Sequence, residues 1–184
     1  MKRAFVLTSC VALVVSGCGY NRIQSLDEEV SAFQSQIEVT LQRRADLIPN
    51  LVNTVKGFAQ QEQTIFEQLT EARARLGGAI EGGDLAEMAA ANQNLTSALG
   101  RLIVLVEDNP EIQSNENFRM LQDQLEGTEN RIATARLDYN AAVREYNAYI
   151  RRFPQVLTAK VIGAGAREYF EAEEGAQAVP TVEF

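Results

Sequence analysis

Apolar side chains recur at steps of three and four along nearly the whole chain, and no run alternates with a period of two. The longest seam is Phe118, Leu121, Leu125, Thr128, Ile132, Ala135, Tyr139, Ala142, Tyr146, Tyr149 and Phe153, with steps of 3 and 4 that never slip. A seam sustained over that distance predicts one long helix packed on other helices. Pro154 is expected to end it, because proline disfavours the helical conformation in the residue before it. A second seam, Leu85, Met88, Asn92, Leu95, Leu99, Leu102 and Val106, predicts a helix capped at its start by Asp84 with Glu87 reaching back. Gly82-Gly83 reads as the turn before it, Gly77-Gly78 as the end of the preceding helix, and Asn109-Pro110 as the loop after it.

The first helical region, from about Tyr20 to Leu76, is long. Its apolar positions include Leu26, Val30, Phe33, Ile37, Leu41, Ile48, Val52, Val55, Phe58, Ile65 and Leu69. Continuous, it measures about 80 Å, against about 36 Å for residues 84–107 and about 58 Å for 115–153. Helices that pack side by side have comparable lengths, so a kink or break is expected between Pro49 and Gly57. Proline removes a helical hydrogen bond, and Asp46 is placed to cap a new helix with proline in its first turn. Gly57 is the other candidate, and the sequence leaves both open. Beyond Pro154 the pattern weakens: Val156 to Ala164 reads as a short helix or a turn. The expected fold is all-α: a long antiparallel bundle of three to four long helices, the first kinked or broken.

The amino terminus follows a different logic. Lys2 and Arg3 precede a run of apolar or small residues from Ala4 to Val15, followed by Val15-Ser16-Gly17-Cys18. The run is shorter than the roughly 17–25 residues of a spanning helix, and it has the length of a secretory leader's core. Val-Ser-Gly-Cys matches the lipobox at which bacterial lipoproteins are cleaved and acylated. Residues 1–17 are therefore expected to be a signal peptide. Cys18 is expected to carry a diacylglycerol and an acyl chain such as palmitate, and residues 18–184 to form one helical domain with a short tail. Each buried methylene contributes about 0.8 kcal/mol, so two or more chains hold a protein firmly on a bilayer. Gly19 rather than an acidic residue follows Cys18. By analogy this favours the outer membrane, facing the periplasm, in a cell with two membranes.

Charge and missing residue types narrow the function. Loss of residues 1–17 leaves 15 basic against 25 acidic side chains, which argues against nucleic acid and against electrostatic adhesion to anionic lipid. There is no histidine, which excludes Ser-His-Asp and Cys-His catalysis and every histidine-containing metal site, the Glu-x-x-His pattern of di-iron bundles among them. Both cysteines lie in the leader or at its cut, so the mature domain has neither disulfide nor thiol nucleophile. No cofactor and no metal are expected.

Three stretches resemble the LemA family: Arg43-Arg44-Ala45-Asp46-Leu47-Ile48-Pro49-Asn50-Leu51-Val52 with Val55-Lys56-Gly57-Phe58-Ala59; Glu116-Asn117-Phe118 with Leu121; and Glu129-Asn130-Arg131-Ile132-Ala133 with Ala135-Arg136, Tyr139-Asn140, Val143, Tyr146-Asn147 and Phe153-Pro154. The likeness runs from Tyr20-Asn21 to the final Pro-x-Val-x-Phe. It implies a membrane-anchored, extracytoplasmic bundle of antiparallel helices and no established catalytic activity. Many such relatives begin with an uncleaved membrane helix, where this chain has a lipobox. They often carry Tyr-Ala-x-His-Glu where this chain reads Phe58-Ala59-Gln60-Gln61-Glu62, so a role for that histidine does not carry over.

Arg43, Asp46, Asn50 and Asn53 share one helical face, and Glu129, Arg136, Asn140 and Asn147 follow a similar stripe on the long helix. Two facing stripes of this kind form either a groove for a peptide, glycan strand or partner helix, or a buried network that fixes helix register; the second reading is the stronger. Seam spacing makes Tyr139, Tyr146 and Tyr149 core residues rather than a stacking platform. Glu28/Glu29 and Glu171/Glu173/Glu174 read as solvated faces rather than an acid–base pair. Val182 and Phe184 either tuck back onto the helices or are offered to a partner. The reading with most support is a non-catalytic, lipid-anchored envelope scaffold that recognises other envelope proteins helix against helix. The alternative is a periplasmic carrier or holdase with a peptide or apolar ligand between its helices, and a hydrolase stands far behind both.

Overall fold

The computed structural model describes residues 19–58 and 62–170, together with the backbone alone for residues 2–18. It is all-α. Helix α1 spans Lys2–Lys56, α2 Gln63–Gly82, α3 Leu85–Glu107, α4 Pro110–Gln113, α5 Glu116–Ile150 and α6 Gln155–Ile162. The described residues fall into two compact units, one of residues 19–36 and 135–169, the other of residues 37–134 and Phe170.

In the second unit the end of α1, all of α2 and α3, and the start of α5 bury the seams read from the sequence. Leu41, Ile48, Leu51 and Val55 of α1 meet a core that includes Leu69 and Leu76 of α2, Met88, Leu95 and Leu102 of α3, and Phe118, Leu121 and Leu125 of α5. Helices α2 and α3 form an antiparallel hairpin tied by Arg101 donating to Gln68. The turn depends on Gly83, whose φ of 72° is open to glycine at no steric cost. Asp84 then caps α3 by accepting from the backbone N–H of Ala86 and Glu87. Gly77-Gly78 does not end α2, contrary to the sequence reading. Neither residue adopts a positive φ, an interior glycine costs only about 0.5–1 kcal/mol, and the helix runs on to bury Ala79. Asn115 caps α5 through Phe118 N–H.

The break after α1 falls at Gly57, and Pro49 sits inside the helix. A proline there removes the donor that would serve the carbonyl four residues back, that of Ala45. Arg73 of α2 supplies the missing bond, its Nε donating to Ala45 O at 3.1 Å. Proline's defect is thereby turned into an inter-helix tie, and Asp46 needs no capping role. Arg73→Met should cost about 1–3 kcal/mol by orphaning that carbonyl. In a Pro49→Ala background, where residue 49 has its own N–H, the same change should cost markedly less. A double-mutant cycle read by urea denaturation measures the coupling.

In the first unit α1 and α5 bury Ile23, Leu26, Val30, Tyr139, Val143 and Tyr146, and Arg22 pairs with Glu145. The long seam holds to Tyr146. Phe153, its last predicted member, is exposed, because α5 stops at Ile150 and the chain turns before Pro154. Of residues 156–164, those up to Ile162 belong to the short α6, which Gly163 ends with a φ of 72°.

Candidate functional site

The polar centre of the second unit is built on a residue adjacent to the predicted stripe. Arg44 occupies the core register of α1, in the series Ile37, Leu41, Arg44, Ile48, Leu51 and Val55. Its side chain is 4% exposed. Nη1 donates to Asn92 Oδ1 of α3 at 2.6 Å and pairs with the Glu129 carboxylate of α5. Three helices thus meet at one guanidinium. Burial lowers the Arg44 pKa, and the Glu129 charge opposes that shift. Arg44 Nε is buried without a partner.

Beside this centre lies an open groove of about 300 Å³. Thr96, Leu99, Gly100 and Ile103 of α3 form one bank, and Phe118, Gln122, Leu125, Glu126 and Glu129 of α5 the other, with Leu51 and Arg44 on α1. A methyl group added at Gly100 meets nothing within 4 Å, so the backbone of α3 is open to close approach there. A larger and more polar depression of about 690 Å³ lies along α5, lined by Arg43, Glu116, Arg119, Asp123, Thr128 and Arg131 among others.

On α1 the predicted polar stripe lies at the surface rather than in a buried network. Arg43, Asp46, Asn50 and Asn53 are all exposed on α1. The helix turns the register containing Arg44 inward, about 100° away from Arg43. Asp46 accepts from Gln42 on its own helix. Glu129 does enter a buried pair, but with Arg44. Arg136 and Asn140 are half-buried, and both have partners. Cys18 lies outside the described side chains, and Glu171, Glu173, Glu174, Val182 and Phe184 lie outside the described residues.

Asn147 is buried in the first unit. Its amide accepts from Arg167 N–H and donates to Arg167 O, both at 2.8 Å, so one side chain holds a non-helical segment as a neighbouring strand would. The Arg167 guanidinium grips Asp27 with two bonds of 2.8 and 3.0 Å, and Tyr139 Oη donates to Glu168 O at 2.9 Å. The hydrogen bond to Asp27 raises the Arg167 pKa. Nothing in the sequence marked residues 164–169 as a partner for Asn147, since the segment carries no helical period.

Burial raises the phenol pKa of Tyr139 and Tyr146; Arg167 opposes the rise at both, while Glu168 adds to it at Tyr139 and Asp27 at Tyr146. The native state therefore keeps these protons to higher pH than the unfolded chain. That contribution is whole below the ordinary tyrosine pKa and is lost as pH rises through the folded values. The urea midpoint should fall as pH climbs past about 10. The double variant Tyr139→Phe/Tyr146→Phe should show a shallower fall, whatever its starting stability.

The LemA family model matches residues 33–184. The chain belongs to the LemA family. Magnetosome proteins MamQ 1 and MamQ 2 of Paramagnetospirillum magneticum are each 33% identical to this LemA-family chain over 176 residues, covering 83% of it and 64% of their own length. Magnetosome protein MamQ of Magnetospirillum gryphiswaldense is 30% identical over 174 residues, covering 82% and 64%. The chain thus spans under two thirds of the length of these curated relatives. Among the described residues, no helix is long and apolar enough to cross a membrane, and no group of acidic, histidine or cysteine side chains is arranged to hold a metal ion.

Proposed function

We propose that this LemA-family chain is a membrane-associated, non-catalytic adaptor of the bacterial envelope. Acyl chains on Cys18 tether it on the extracytoplasmic side, and it recognises other envelope proteins helix against helix. The observation that carries the reading is the open groove between α3 and α5. Its banks are two helical ridges, its floor is apolar, and Gly100 leaves room for a third backbone. An amphipathic helix that sets an apolar row between Leu99 and Leu125 meets hydrogen-bonding and charged groups at Gln122, Glu126 and Glu129 along its edge. At about 300 Å³ the groove sits at the lower limit of small-molecule sites, which favours a partner's side chains over a bulky cargo. Tethering raises the encounter frequency with a partner in the same membrane, much as a short linker does.

The test is a photo-crosslinking side chain at Ile103 in intact cells, with Val39 on an exposed face of α1 as control. Repeated recovery of one envelope protein from Ile103, absent from Val39 and abolished by Gly100→Leu, supports the adaptor. Recovery of many unfolded proteins supports the carrier or holdase, and equal capture from both positions removes the groove from the account.

A further inference from the structure

The chain is acidic as a whole, but its charge is unevenly distributed. From Tyr146 to Arg167 there is no acidic residue and there are four cations. Arg167 is engaged by Asp27. Arg151, Arg152 and Lys160 are exposed. The same stretch shows large apolar side chains to solvent: Phe153 is 80% exposed, Leu157 56% and Val161 86%.

The helix that carries Leu157 and Val161 packs beside Gly19, the residue that follows Cys18. Built with a Cβ, Gly19 would meet Thr158 Oγ1 at 3.6 Å and Gln155 Cγ at 3.7 Å, so α6 packs against the start of the described part of α1. Gln155 and Thr158 face α1, Ala159 is buried, and Leu157 and Val161 project about 90–130° around the helix from that face. Lys160 flanks them. Tyr20, at the same end of α1, is 45% exposed. Exposed apolar side chains, an aromatic residue and cations without an ion pair among the described residues are the elements of a surface that rests in a bilayer interface, with rings and aliphatic chains at headgroup depth and ammonium and guanidinium groups on phosphates.

We propose that Phe153, Leu157 and Val161, with Arg151, Arg152 and Lys160, form a membrane-apposed surface that seats this end of the molecule on anionic lipid headgroups. The occupant is a lipid surface rather than a protein helix, because the stretch from Tyr146 to Arg167 carries only positive charge and α6 packs beside the residue that follows the tether. This deepens the tether reading and rests on it for which end meets the bilayer. The overall acidity, which counts against adhesion when averaged over the chain, works here in the same direction: it repels the remaining surface from anionic lipid and leaves this end as the one that settles.

The chain has no tryptophan, so Val161→Trp installs a single probe. The full chain, purified from bacterial membranes, is reconstituted in phosphatidylcholine vesicles with and without phosphatidylglycerol, each with brominated acyl chains. The expected result is a blue-shifted emission that brominated lipid quenches, more strongly with phosphatidylglycerol. Leu137→Trp, another solvent-facing position, on α5, should stay unshifted. Arg151→Glu/Arg152→Glu/Lys160→Glu should cut the phosphatidylglycerol-dependent quenching about twofold or more and leave the circular dichroism unchanged. A Val161→Trp probe as unquenched as the Leu137→Trp control, on protein that floats with the vesicles, overturns the surface and leaves the tether standing. Quenching on protein that fails to float in sucrose supports the surface and removes the tether. A blue shift that grows with protein concentration and needs no vesicles overturns the proposal in favour of a self-association face.

Discussion

Replacing Arg44 with methionine should lower the stability of the second unit by about 3–5 kcal/mol, with the lower end expected. The side chain it replaces is nearly fully buried and serves two partners. Its loss leaves Asn92 Oδ1 without its donor in a buried position and leaves Glu129 without its counter-charge. Glu129 is half exposed, so water recovers part of its hydration, which moderates the loss. Glu129→Gln should cost less than Arg44→Met, since the amide oxygen still accepts from the guanidinium while the buried cation loses its charge partner. Replacing all three together, Arg44→Met/Asn92→Leu/Glu129→Met, should recover most of the deficit, as buried polar clusters exchanged for apolar groups of similar volume commonly do. Urea denaturation reads the totals, and amide exchange in α3 and α5 assigns the loss to this unit. If the triple variant is no more stable than Arg44→Met alone, the polar centre is worth more than its replacement by packing.

The same residue shows how far the sequence could be read. Helix existence, the capping of α3 at Asp84 and the seams through Val106 and Tyr146 follow from local spacing and turn chemistry, which are short-range properties. The rotation of α1 about its own axis does not, because the series 43–46–50–53 and 41–44–48–51 have the same steps, and only packing against α2, α3 and α5 chooses between them. A signal was nevertheless present. Arg44 is the single charged position in the apolar series from Ile37 to Val55, and Asn92 is the polar position in the apolar seam of α3. Two polar residues on two core registers point toward each other more directly than a stripe of polar residues does, since polar stripes are what solvent-facing surfaces look like. The role of Pro49 was hidden for a different reason. Whether a proline breaks a helix depends on whether some distant group can serve the orphaned carbonyl, and Arg73 lies on another helix. The expectation of helix length failed at Gly77-Gly78 because glycine permits a turn without requiring one, and the positive φ that ends α2 comes six residues later, at Gly83.

The second large effect is expected at Asn147. Asn147→Leu keeps the volume of the buried side chain and removes both bonds to the Arg167 backbone, leaving an N–H and a carbonyl unpaired. We expect a loss of about 2–3 kcal/mol from the first unit, on the usual cost of orphaning two polar groups. Amide exchange at Arg167 should rise toward the unprotected rate. Asp27→Asn removes the formal charge pair with Arg167 but keeps an acceptor in place. Both of its side chains are more than a third exposed or close to it, at 41% and 34%, so the pair is worth only about 0–1 kcal/mol. The ranking is the informative part. If Asn147→Leu costs clearly more than Asp27→Asn, the amide holds residues 164–169 against α5 and the ion pair only trims its position. If Asp27→Asn costs as much or more, the salt bridge is the clamp and Asn147 merely fills its place. The distinction matters for α6, because the segment held by Asn147 is the chain that leaves α6 after Gly163. A loosened 164–169 segment frees one end of the helix that carries Leu157 and Val161. Asn147→Leu should therefore also weaken lipid quenching of the Val161→Trp probe, whereas Asp27→Asn should leave it unchanged.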